Sequence, residues 1–171
     1  MEEKKVDKVV VADLSSGDLD KQLQAVELIR QQGSVLYLSL LADLYVQSIF
    51  EQVKEKISKL FQDIIDTKAG SVIIEILKET SNSELRSMLL TACWASRIDY
   101  SPFVLDIVKL AVEHDYLVAF ESLTIVENFD VSPEKSVLEQ SLKIIEGAVL
   151  DETTPKAEIL RELAAALRRL Q

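Results

Sequence analysis

Apolar residues in this chain recur in two interleaved series that advance by about 33 residues at a time, and a repeat of that length limits the fold more than any other feature. Leu41, Ile74, Ile107 and Leu142 follow one another at steps of 33, 33 and 35 residues, and Leu44, Leu77, Leu110 and Ile145 keep the same steps. Between them stand four segments with apolar side chains at i, i+4 and i+7: Leu19/Leu23/Val26, Val53/Ile57/Leu60, Leu85/Leu89/Ala92 and Val118/Ser122/Ile125. That spacing gathers three side chains on one helical face. The first residues of these segments lie 34, 32 and 33 positions apart, so both series advance together. Ser122 is the odd member, a hydroxyl where the others carry carbon.

The turn residues divide the chain in the same places. Each of the three prolines follows a Ser or Thr: Ser101-Pro102, Ser132-Pro133 and Thr154-Pro155. A hydroxyl at the N-cap accepts from a free helix N–H, and Pro suits the next position because its missing donor has no partner there anyway. Asp99 and Asp130 recur in register before two of these pairs, as turn residues do. Gly33-Ser34 and Gly70-Ser71 are the earlier equivalents, with Gly taking a left-handed C′ conformation and Ser capping the next helix. Nine helices are predicted, at 18–31, 34–47, 48–66, 70–80, 83–97, 102–114, 115–129, 133–149 and 155–171. Residues 1–14 show no helical repeat and read as an N-terminal arm or short cap, ahead of one repeat domain over 15–171.

Two features favour a stack of helical hairpins over a closed bundle. The 102–114 helix carries Leu105 and Val112 well away from its Val104/Ile107/Val108/Ala111 face, and a hairpin with a neighbour on each side buries such residues too. The last helix sets Ile159, Leu163, Leu167 and Leu170 against Glu158, Arg161, Arg168 and Arg169, the polar outer face that a terminal cap requires.

A helix–turn–helix unit of about 33 residues over 18–149, with 155–171 as cap, resembles the HEAT-repeat (armadillo-like α-solenoid) superfamily in its small bacterial-type form. Residues 84–111 match best, and Tyr116-Leu117-Val118-Ala119-Phe120-Glu121-Ser122-Leu123 resembles the HEAT first-helix pattern. The first helices lack the family's Pro, and the Trp-Leu-Gly-Tyr signature of tetratricopeptide arrays is absent. The resemblance implies an all-α, right-handed α-α superhelix of about four hairpins plus a C-terminal capping helix, working as an interaction module.

Composition agrees with a helical domain and removes several function classes. Four Gly and three Pro in 171 residues are too few for the tight turns of a sandwich or barrel. The 48% hydrophobic fraction excludes disorder. One Cys and one His cannot supply a structural zinc site, and neither a phosphate loop nor a Gly-x-Gly-x-x-Gly, Gly-x-Ser-x-Gly or His-Glu-x-x-His motif is present. No catalytic, cofactor or metal residue is therefore assigned. A net charge of −10 opposes nucleic acid and anionic lipid. No apolar run approaches the ~20 residues of a membrane span, and the start of the chain lacks a signal peptide, so the expected compartment is the cytoplasm.

The candidate partner-binding residues are Trp94, Leu90, Asp43, Glu75, Glu79, Asp106 and Glu113. Trp94, the single Trp, falls about 180° from Leu85 on its helix, with Leu90 nearby. It serves either as an exposed aromatic anchor or, the commoner arrangement, as packing for the next repeat. The acidic residues lie on the second helices and, with Glu139 and Glu146, suit a basic peptide, although Lys78, Lys109 and Lys143 interrupt them. His114, flanked by Glu113 and Asp115, reads as a solvated turn residue, and Cys93 as a small core residue. The leading expectation is a non-catalytic scaffold for a protein or peptide partner, monomeric or weakly self-associating. Two alternatives stand beside it. One is a HEAT-like DNA-directed enzyme of the alkylpurine glycosylase type, using Trp94 and Asp99. The other is a self-assembling structural protein pairing through Val6, Val9, Val10 and Val11.

Overall fold

Helices make up all the regular structure in the computed structural model, which describes residues 6–33, 35–149 and 153–171; among these there is no strand. Ten α-helices occur among the described residues: α1 (Lys8–Leu14), α2 (Leu19–Gln32), α3 (Leu38–Gln47), α4 (Glu51–Gln62), α5 (Ala69–Glu79), α6 (Ser83–Ala95), α7 (Val104–Glu113), α8 (Tyr116–Glu127), α9 (Lys135–Ala148) and α10 (Pro155–Arg169). Short 3-10 turns at Val35–Tyr37 and Ser101–Phe103 lead into α3 and α7. The chain divides into two compact units, Met1–Arg97 and Ile98–Gln171, where the sequence reads as one repeat domain over 15–171.

In the first unit α2, α4 and α6 pack in one row and α1, α3 and α5 in another, with α3 against α4 and α5 against α6 joining the rows. The periodic residues form the interior: Val53 and Ile57 are fully buried on α4, as are Leu89 and Ala92 on α6, while Leu41, Ile74 and Leu77 fill the other row. At about 25 cal/mol per Å2, each of these Val, Leu and Ile side chains contributes roughly 1.5–3 kcal/mol.

Helix α1 lies within residues 1–14, which the sequence reads as an arm or a short cap, and it packs as a short helix. Three consecutive valines have weak helix propensity, but capping and packing prevail. The Asp7 carboxylate accepts from Val9 N at 2.8 Å, and Val10 and Leu14 are buried. The helix packs on α2 and α3, and Tyr37 Oη accepts from Asp7 N at 2.7 Å. Burial of Val10 also takes it away from the pairing segment proposed for Val6, Val9, Val10 and Val11.

The second unit repeats the two-row pattern: α7 packs on α9, α8 on α10, and the contacts α7–α8 and α9–α10 join the rows. Ile107, Leu110 and Ile145 are buried in register, as is Ser122, whose side chain takes its apolar neighbours' place in the core. Leu105 and Val112, the side-facing residues of α7, are half-buried. Lys156 Nζ at the start of α10 donates to Val112 O at 2.6 Å. Arg168 and Arg169 reach Glu146 on α9 (3.1 Å) and Glu127 on α8 (3.5 Å).

Some of the expected caps hold. Gly33 ends α2 at φ +62°, a left-handed conformation, and the Thr154 hydroxyl accepts from Ala157 N at 3.2 Å. Others change role. Gly70 lies inside α5 and is buried, Ser71 donates its hydroxyl to Lys68 O, and Ser34 lies outside the described residues. Ser101 opens a 3-10 turn and donates its hydroxyl to Asp99 Oδ2 at 2.8 Å, so Asp99 organises this turn. Helix α9 starts at Lys135, three residues beyond Ser132, and has no side-chain cap.

Candidate functional site

Trp94 and Leu90 share a helix but not an environment. Helix α6 packs on α3, α4 and α5 and buries Leu85, Met88, Leu89, Leu90, Ala92 and Cys93, an arc of roughly 200° at 100° per residue. Leu90 falls inside that arc with no exposed surface, which corrects its assignment to a partner-binding face. Trp94 sits just past the edge of the arc and keeps 39% of its surface open.

Asp43, on α3, and Glu75 and Glu79, on α5, are exposed on neighbouring helices of the first unit. Glu75 is paired with Lys78 at 3.0 Å. Glu113 (exposed) and Asp106 (half-buried) belong to α7 in the second unit. The acidic set read as one surface therefore falls on two units. Cys93 is buried, and His114 closes α7 in an extended conformation. Asp99 accepts from both the amide and the hydroxyl of Ser101 at 2.9 and 2.8 Å.

Ion pairs tie successive helices of the first unit's α2/α4/α6 row. Arg30 binds Asp63 at 2.5 Å, Lys56 binds Glu27 at 3.0 Å, and Lys54 binds Glu84 at 3.0 Å. The Lys54 ammonium also lies 5.4 Å from the centre of the Tyr45 ring, within reach of a cation–π attraction. Burial, then the Glu84 charge, raises the Tyr45 phenol above its ordinary value. Hydrogen bonding to Glu84 raises Lys54, and hydrogen bonding to Lys56 lowers Glu27. At the C-terminal ends of α2, α4 and α6 a cleft of about 710 Å3 is lined by Ile29, Leu38, Leu60 and Ile65, with Arg30 and Asp63 among its polar groups.

Sequence reading misses one further surface. On α8, Val118, Ala119, Ser122, Ile125 and Val126 are buried, yet Tyr116, Leu117 and Phe120 on the other side keep 47%, 50% and 45% of their surface exposed. The Tyr116 and Phe120 rings stack with centroids 6.4 Å apart and planes 17° from parallel. The available signal is that α8 is apolar on every side, whereas a surface helix ordinarily carries one apolar stripe.

Among the described residues no helix is long and apolar enough to cross a membrane, and no three His, Cys, Asp or Glu side chains form a group able to hold a metal. Comparison with protein-family models, with curated proteins and with solved structures finds no match to this chain.

Proposed function

We propose that this protein is a HEAT-like, right-handed α-solenoid that acts in the cytoplasm as a non-catalytic scaffold for a protein or peptide partner. The observation that carries the reading is the pairing of like-numbered helices within each unit. Even helices pack on even helices and odd on odd, one repeat apart. Such a stack spends its apolar residues on neighbouring repeats and leaves lateral helix faces available to partners. The exposed side chains of Trp94, Tyr116, Leu117 and Phe120 supply the aromatic and apolar anchors on which protein interfaces depend, and the excess of acidic groups favours a basic partner.

The test is affinity capture from native lysate, run with the full chain and with Trp94→Ala and Tyr116→Ser/Phe120→Ser variants. The reading expects one defined protein in near-equal amount to the bait, lost with at least one variant. Capture of nothing above background at low salt, over a range of bait concentrations, overturns it.

A further inference from the structure

We infer that the outward face of α8, formed by Tyr116, Leu117 and Phe120, is a docking site for a basic amphipathic helix. The inference rests on the scaffold reading and specifies which surface is used and what it takes.

Three observations lead to this occupant. The first is geometric. Tyr116, Phe120 and Leu123 stand at i, i+4 and i+7 on the side opposite the core, with Leu123 half-buried. That spacing forms a ridge over which a second helix can pack. The second is exposure. Tyr116, Leu117 and Phe120 are each about half open to solvent within two turns, and exposed apolar clusters of this kind mark interaction sites.

The third observation is charge. From Leu110 to Glu134 the sequence contains no Lys or Arg, but it holds Glu113, Asp115, Glu121, Glu127, Asp130 and Glu134. Residues 98–171 as a whole carry seven basic and fourteen acidic side chains. Helix α10 packs on α8; its Lys156 and Arg168 are engaged with Val112 O and Glu146, and Arg169 meets only the far end of α8, at Glu127. An apolar ridge in so acidic a setting complements a helix whose large apolar residues are flanked by Lys or Arg. Their cations would face the carboxylates and lie over the stacked rings.

The experiment uses the full chain and fluorescein-labelled peptides of about four helical turns. One is a Leu/Lys peptide patterned to form an amphipathic helix, the second has the same composition with the pattern scrambled, and the third replaces Lys by Glu. Anisotropy is read at about 50 mM and about 300 mM salt. The patterned Leu/Lys peptide should bind, and Tyr116→Ser/Phe120→Ser should weaken it by about tenfold or more. Glu113→Gln/Glu121→Gln should weaken it several-fold at low salt and much less at high salt. The Glu peptide should not bind.

Equal binding of the scrambled and patterned peptides reduces the effect to bulk charge and overturns the inference. So does self-association, read by sedimentation velocity, that the Tyr116→Ser/Phe120→Ser variant abolishes, because a second copy then covers the face. If no peptide binds while the chain still captures a partner that this variant does not release, the α8 assignment fails and the scaffold reading survives. Failure of capture as well removes both.

Discussion

Arg30 and Asp63 stand 33 residues apart in the chain, one repeat step, and their side chains meet at 2.5 Å between the ends of α2 and α4. The periodicity of the sequence has become a neighbour relation in space. Both side chains are about half exposed, at 46% and 55%, and an exposed pair of this kind contributes about 0–1 kcal/mol. Arg30→Ala should therefore change urea-unfolding stability by less than about 1 kcal/mol. Ile57→Ala, in the fully buried seam of α4, should cost about 2–5 kcal/mol. The apolar seam, rather than the ion pair that marks it, holds the repeats together.

Leu90 and Trp94 provide a sharper comparison, because the sequence places them on one face and the fold separates them. Leu90→Ala should destabilise by about 2–5 kcal/mol through the cavity it leaves. Trp94→Ala should cost less, since 39% of the residue's surface is already in water. Thermal melts followed by far-ultraviolet circular dichroism distinguish the two; similar losses for both would contradict the burial described for α6.

Ser122 and Ser141 are fully buried, and neither hydroxyl has a hydrogen-bond partner among the described residues. An unsatisfied buried polar group costs about 1–3 kcal/mol. Ser122→Ala removes that cost and the smaller side chain leaves little void, so chemical denaturation should show a gain of about 1 kcal/mol. A clear loss of stability would mean that the hydroxyl is bonded in solution.

The buried positions are legible in the sequence because the same apolar spacing recurs along the chain. Leu41, Ile74, Ile107 and Leu142 are all buried, and so are Leu44, Leu77, Leu110 and Ile145. The first repeat is less legible, because its buried face is set by a helix with no repeat signal. Gln22, which looks like a surface residue, is buried on α2 because its side-chain amide donates to Leu14 O, at the end of α1, at 3.1 Å. Turns are also harder to read than seams. Ser-Pro describes an N-cap and a 3-10 turn equally well, and only the carboxylate of Asp99 decides the role of Ser101. On α6, Trp94 keeps 39% of its surface open and Leu90 none. Position on a helical wheel cannot show how many neighbours α6 has. The α8 ridge escapes notice for the opposite reason: its residues resemble core, and only the packing leaves them uncovered.

Tyr45 and Lys54 make the first unit sensitive to alkali. The folded state resists ionising Tyr45, so above its ordinary value of 10.0 the unfolded chain becomes charged first. Lys54 is held protonated by Glu84, so the unfolded chain also gives up that proton first, above 10.5. In each case the folded-state value is raised. The stabilisation is therefore complete below the unfolded value and is lost as pH rises through the folded one. Stability should fall as pH rises above about 10, and Tyr45→Phe should make the fall shallower. Urea midpoints across that range check both statements, and an identical slope for the variant would contradict the role given to Tyr45.

Zero-length carbodiimide cross-linking followed by mass spectrometry tests the central claim, that helices one repeat apart lie side by side, because it joins only carboxylates and amines already in contact. The account predicts intramolecular amide bonds between Lys56 and Glu27, joining α2 to α4, and between Lys54 and Glu84, joining α4 to α6, each pair being 3.0 Å apart. Cross-links from these lysines to other segments, with both predicted bonds missing, would contradict it.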